Sequence, residues 1–207
     1  ILYSFLIIFR FCGRDAIFIY IHTIMKHFIT TYEDNFDFAL QTKFNMYQGK
    51  GLDPEIIIGE KIDNDKYKRT TVLHWNWIEK VIPKCIESGD DCIVFEDDVR
   101  LTGDLNDLKY QENDIIWFGF RRGRLENKNK TITGTQALYF KKEVLLDLYD
   151  YFSNYKNKIQ IDNLMSKFCV EFSKKYKIQQ PKSSYCYEQE HTSLISLDDW
   201  SSYTKPK

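Results

Sequence analysis

Ile93 to Val99 reads IVFEDDV, an apolar run that delivers three consecutive carboxylates, Glu96, Asp97 and Asp98. Adjacent negative charges repel one another and resist desolvation, so a buried strand does not end this way without compensation. A divalent cation held between the carboxylates and a phosphorylated ligand would compensate. The bland reading is that the same residues cap the next element or line a solvated turn.

The elements that must position this cluster alternate along the chain. His27 to Tyr32 is a short β-rich run, and Phe36 to Tyr47 carries apolar residues at the three- and four-residue spacing of a helix, ended by Gly49 and Gly51. Pro54 to Gly59 predicts a second buried strand. Thr70 to Ile86 repeats the helical period through Val72, Trp75, Ile78, Ile82 and Cys85, with Pro83 kinking or splitting it. Cys92 to Phe95 is the third strand. Strands at Asp114–Phe120 and Thr135–Phe140 follow, then helices at Val144–Tyr155 and Ile161–Tyr176. Strand–helix–strand–helix–strand is the pattern of a parallel sheet covered by helices. Ligands of such sheets bind beyond the carboxyl ends of the strands, where the tips of the first three should converge.

Composition sets limits. The chain has 207 residues, 43% hydrophobic and 29% charged, which suits one folded domain. A net charge of −1 argues against a basic nucleic-acid grip. Five scattered cysteines with no CxxC pair suit reduced thiols rather than disulfides or a zinc site. In residues 1–24 two apolar runs are interrupted by Arg10 and by Gly13-Arg14-Asp15, and neither reaches the roughly 20 residues of a spanning helix. No signal-peptide pattern is visible. Met25 is the first Met, so we expect translation to start there, with residues 1–24 as upstream reading frame; a degraded membrane anchor is the competing account. The domain is expected over 25–197, followed by a polar tail at 198–207. A cytoplasmic protein is expected, at most peripheral to a membrane, with no secretion and a silent sequon at Asn129-Lys130-Thr131. Oligomeric state has no readable code.

Further landmarks lie in order along the chain: Leu73-His74 with Trp77, the IVFEDDV strand, Gly134-Thr135 with Ala137 and Tyr139, Asp162 with Leu164, and Gln189 with Ser193 and Ile195. Together they resemble glycosyltransferase family 25, the lipopolysaccharide- and collagen-type galactosyl- and glucosyltransferases. Two departures stand out. Leu73 replaces the family's usual Ser, and Tyr32-Glu33-Asp34-Asn35 replaces an Arg-containing loop, so Thr30, Thr31 and Tyr32 are assigned to the nucleotide by position only.

The resemblance implies an α/β, GT-A-like (Rossmann-like) fold with a mixed, mainly parallel sheet flanked by helices. It implies a metal-dependent glycosyltransferase that moves glucose or galactose from a UDP-sugar to a hydroxyl of a glycan or glycoprotein, with inversion. Asp98 would bind Mn²⁺ or Mg²⁺ directly. Glu96 and Asp97 would contact the metal, its waters or the ribose, and His191 would be a further metal ligand. Asp162 would be the catalytic base, although an Asp there could equally cap its helix. Gly134, Thr135, Gln189 and, as a supporting core residue, His74 would complete the nucleotide side. The loop holding Arg121, Arg122, Arg124, Lys128 and Lys130 could close over the diphosphate or remain a solvated hairpin. Two other readings stay open: a metal-dependent phosphoryl-transfer enzyme or nuclease using the same carboxylates, and a catalytically inactive GT-A scaffold that binds a partner.

Overall fold

The computed structural model describes residues 7–11, 14–18, 25–60, 76–120, 134–155 and 161–188. Its centre is a six-stranded sheet. The strands are β3 (Met25–Tyr32), β4 (Glu55–Gly59), β5 (Asp91–Glu96), β7 (Ile115–Gly119), β8 (Ala137–Phe140) and β9 (Ile178–Gln179), in the order β4-β3-β5-β8-β7-β9. β3 runs parallel to both β4 and β5, and β7 runs parallel to β9; β8 alone is antiparallel to its neighbours β5 and β7. The sheet is therefore mixed and mostly parallel, as the family resemblance implies; the strand–helix alternation alone predicts the parallel β3, β4 and β5 but not the antiparallel β8. Outside it, β1 (Ile7–Phe11) pairs with β2 (Arg14–Phe18), and β6 (Val99–Leu101) pairs with β10 (Cys186–Glu188).

The inner strands β5, β7 and β8 are buried on both faces, which explains why they read as continuous apolar runs. Alternation within each strand sorts side chains to the two sides. Phe28, Val94, Trp117 and Leu138 join one core cluster, which also takes in α2 (Ile82–Ser88), α3 (Lys142–Asn154) and α4 (Ile161–Glu171). Ile29, Ile93, Phe95 and Phe118 join the other, under α1 (Phe36–Lys50) and β6. A buried Phe of this kind contributes roughly 1.5–3 kcal/mol, so Phe95 and Phe118, fully covered and edge-to-face at 6.1 Å, anchor the strand that carries the carboxylates.

Boundaries depart from the sequence reading where local chemistry intervenes. α1 runs through Gly49 and is capped by Gly51, whose φ of 67° is the left-handed conformation that glycine adopts freely. The helix expected over 70–86 is a π turn, Trp77–Val81, followed by α2; residues 70–75 lie outside the described set. Pro83 comes just after the π turn, and Val81 and Ile82 before it keep right-handed helical dihedrals, so the helical path runs on through the proline with its hydrogen-bond pattern altered. The last helix stops at Glu171 rather than Tyr176. Among the described residues no helix is long and apolar enough to cross a membrane.

Candidate active site at the carboxyl end of β5

β5 lies between β3 and β8, and the site is built from that adjacency. The register pairs Thr30 with Glu96, so the tip of β3 lies beside the turn that holds Asp97 and Asp98. Thr31 Oγ1 donates to Asp97 Oδ2 at 2.6 Å, and Thr42, from α1, donates to the Asp97 carbonyl at 2.6 Å. On the opposite side β8 runs antiparallel, so its entry segment arrives where β5 ends. There Thr135 Oγ1 donates to Glu96 Oε1 at 2.6 Å, and the Glu96 N–H donates to the Gln136 carbonyl at 3.0 Å. Thr31, Thr42 and Thr135 are all buried, and Asp98 is 9% exposed at the turn.

The entry to β8 is fixed from three directions. Gly134 has a φ of 84°, a conformation that strains any side chain-bearing residue. Its N–H donates to Asp162 Oδ2 at 2.7 Å, and its carbonyl accepts from Trp117 Nε1 at 3.0 Å. Thr135 Oγ1 also lies 3.4 Å from Asp162 Oδ1. One hydroxyl thus stands between Glu96 and Asp162, which are 66 residues apart in sequence. Asp162, on the first turn of α4, gives its carboxylate to the Gly134 turn.

β10 closes the other side of the acidic turn. Glu188 pairs with Val99, the residue after Asp98. Cys186 on the same strand is buried; burial foremost, and then the nearby Glu96 charge, push its thiol well above the ordinary range, so it stands as a neutral neighbour.

The structure therefore brings together Thr31, Glu96, Asp97, Asp98, Gly134, Thr135 and Asp162, and places Thr30 and Tyr32 on the adjoining strand tip. His74, Gln189, His191 and the basic loop from Arg121 to Lys130 lie outside the described residues. Thr42, Trp117 and Cys186 were not anticipated. A lone Thr inside a helix, a Trp inside an apolar strand and a scattered Cys carry no motif.

The three carboxylates do not form a closed cage. Glu96 turns toward β8 and Asp97 toward β3, and among the described residues no three carboxylate, imidazole or thiol groups converge as metal ligands. That arrangement still fits Mg²⁺ or Mn²⁺. Mg²⁺ in particular keeps several waters and is usually held by one or two carboxylates plus substrate phosphates. Asp98 at the turn, with Glu96 and Asp97 beside it, is a donor set of that kind.

No family model matches the sequence, and no curated protein matches it. Solved structures do share the architecture. A glycosyltransferase involved in the glycosylation of the major capsid of PBCV-1 matches at a TM-score of 0.55 and 12% identity, over 82% of this chain and 94% of that one. Drosophila β-1,4-galactosyltransferase 7, solved in complex with manganese, UDP-Gal and xylobiose, matches at 0.50 and 12%, over 88% and 80%. A putative glucose-1-phosphate thymidylyltransferase from Bacillus anthracis matches at 0.50 and 9%, over 89% and 97%. At such identities the likeness speaks to fold. The chain has the mixed, mostly parallel α/β fold of GT-A glycosyltransferases and nucleotidyltransferases.

Proposed function

We propose that the protein is a metal-dependent glycosyltransferase that moves a hexose, glucose or galactose, from a UDP-sugar to a hydroxyl of a glycan or glycoprotein, with inversion. The observation that carries this reading is the β5 acidic turn, pinned by a threonine on β3 and another at the entry to β8, at the end of a GT-A-type sheet where ligands bind. The order of the family 25-like landmarks supports the narrower assignment.

Asp98 would hold Mn²⁺ or Mg²⁺, with Glu96 and Asp97 receiving its waters or the ribose. When bound, the cation supplies Lewis-acid neutralisation of the charge that builds on the departing diphosphate. His191 would be a further ligand to the cation, as the family resemblance implies. Thr30 and Tyr32 at the β3 tip, with Gln189, would line the nucleotide side. Asp162 would take the proton of the acceptor hydroxyl as its oxygen attacks the anomeric carbon. The bond from that carbon to the diphosphate breaks, and its electron pair leaves with UDP. The described cysteines are all free, which suits a reducing, cytoplasmic setting.

UDP release from UDP-glucose or UDP-galactose in the presence of Mn²⁺ tests the reading. Asp98→Ala should lower turnover by on the order of 100-fold, the equivalent of about 3 kcal/mol of lost charge stabilisation. Likeness to the thymidylyltransferase favours one rival, nucleotidyl transfer, in which the released product would be pyrophosphate from a nucleoside triphosphate. No release from any donor, despite nucleotide binding, would make the protein a binding scaffold.

A further inference from the structure

Two of the three carboxylates at the β5 tip are held by hydroxyls that come from opposite sides of the strand. Thr31 on β3 engages Asp97 Oδ2 and Thr135 at the entry to β8 engages Glu96 Oε1, each at 2.6 Å. β3 and β8 are the two sheet neighbours of β5, so the two donors reach its tip from opposite sides. Both threonines are 2% exposed, which excludes water as the alternative partner that would loosen a surface contact. A hydroxyl also fixes a carboxylate without bringing a positive charge, so it orients the group and leaves its negative charge available to a cation. A Lys or Arg in either place would orient the same oxygen but compete with the metal.

We infer that Thr31 and Thr135 are positioning residues that hold Asp97 and Glu96 apart and pre-set the acidic turn to accept a divalent cation together with a diphosphate. This rests on the metal-dependent reading above. It reassigns the two threonines from direct nucleotide contacts to partners of the carboxylates. Thr135 also stands next to Asp162, its hydroxyl oxygen 3.4 Å from Oδ1, while its one proton goes to Glu96.

The test is Mn²⁺ binding by the full chain, measured with UDP present from the electron paramagnetic resonance signal of free Mn²⁺, and needs no turnover. Thr31→Val and Thr135→Val keep nearly the same shape and remove the hydroxyl; each should weaken Mn²⁺ binding about 10- to 100-fold, the range seen when outer-shell partners of metal ligands are lost. Thr31→Ser and Thr135→Ser should bind within about threefold of the parent protein, rescuing the loss, which a packing role for the methyl group would not predict. Should a valine variant fail to fold, the alanine and serine variants at that position carry the same comparison. Valine variants that bind Mn²⁺ as tightly as the parent would overturn the positioning role and leave the metal reading standing. A parent protein that binds no Mn²⁺, with or without UDP, would overturn both.

Discussion

Asp162 has two jobs to offer at the scale of one residue, and they separate experimentally. Its Oδ2 accepts the Gly134 N–H at 2.7 Å, while Oδ1 faces the Thr135 hydroxyl. Asp162→Asn keeps a carbonyl oxygen for Gly134 but removes the base. If the carboxylate takes the acceptor proton, kcat should fall about 10²- to 10⁴-fold while the melting temperature barely moves. A variant that loses stability and keeps its turnover would leave Asp162 only as the bracket of the β8 entry. Legibility at this scale followed charge. Glu96, Asp97 and Asp98 stood out because adjacent carboxylates at the end of a buried strand are costly, whereas Asp162, favourable at a helix start, stood out only through the family resemblance. Thr42, which holds the Asp97 carbonyl, was invisible because its role depends on a fold contact across 55 residues.

The elements around the site show what periodicity can and cannot report. β3, α1, β4, β5, β7, β8, α3 and α4 announced themselves through two-residue alternation, apolar runs or helical spacing. β6, β9 and β10 did not, since strands of two or three residues carry no period. The π turn before α2 was also hidden, because it shares the composition of a helix. The β8 entry is the element most sensitive to substitution. Gly134→Ala would force a β-carbon into a φ of 84° and should cost about 1 kcal/mol or more in urea unfolding. Gly119→Ala is harsher: the added carbon would lie 2.4 Å from the Ala137 nitrogen across the β7–β8 pair, so the strands must separate. It should destabilise more than Gly134→Ala, and equal stability of the two variants would contradict this account of the β7–β8 contact.

At the scale of the whole molecule, the buried parallel sheet gives stability a pH dependence. His27 on β3 is half-buried and stacks on Phe95, and loss of solvation lowers its pKa from the ordinary 6.5. The folded chain thus favours the neutral ring, while the unfolded chain binds a proton more readily. The contribution is complete above about pH 6.5 and is lost as pH falls below that value toward the lowered folded pKa. Denaturant midpoints at about pH 7.5 and about pH 5.5 should therefore differ less for His27→Gln than for the parent chain. Fold class was legible because alternation of strand and helix leaves few topologies, and the sheet order then fixed which loops meet. The sugar acceptor was not, because it depends on loop shape rather than on any period.

On the proposed function, the β5 acidic turn binds a cation together with a nucleotide sugar. Thermal unfolding of the full chain, with UDP-glucose or UDP-galactose and Mn²⁺, tests it most directly. A donor at about 100 times its Kd should raise the melting temperature by roughly 5 °C or more, only when Mn²⁺ is present, and Asp98→Ala should abolish the rise. An unchanged melting temperature with every nucleotide sugar, or an equal rise in Asp98→Ala, would contradict the account.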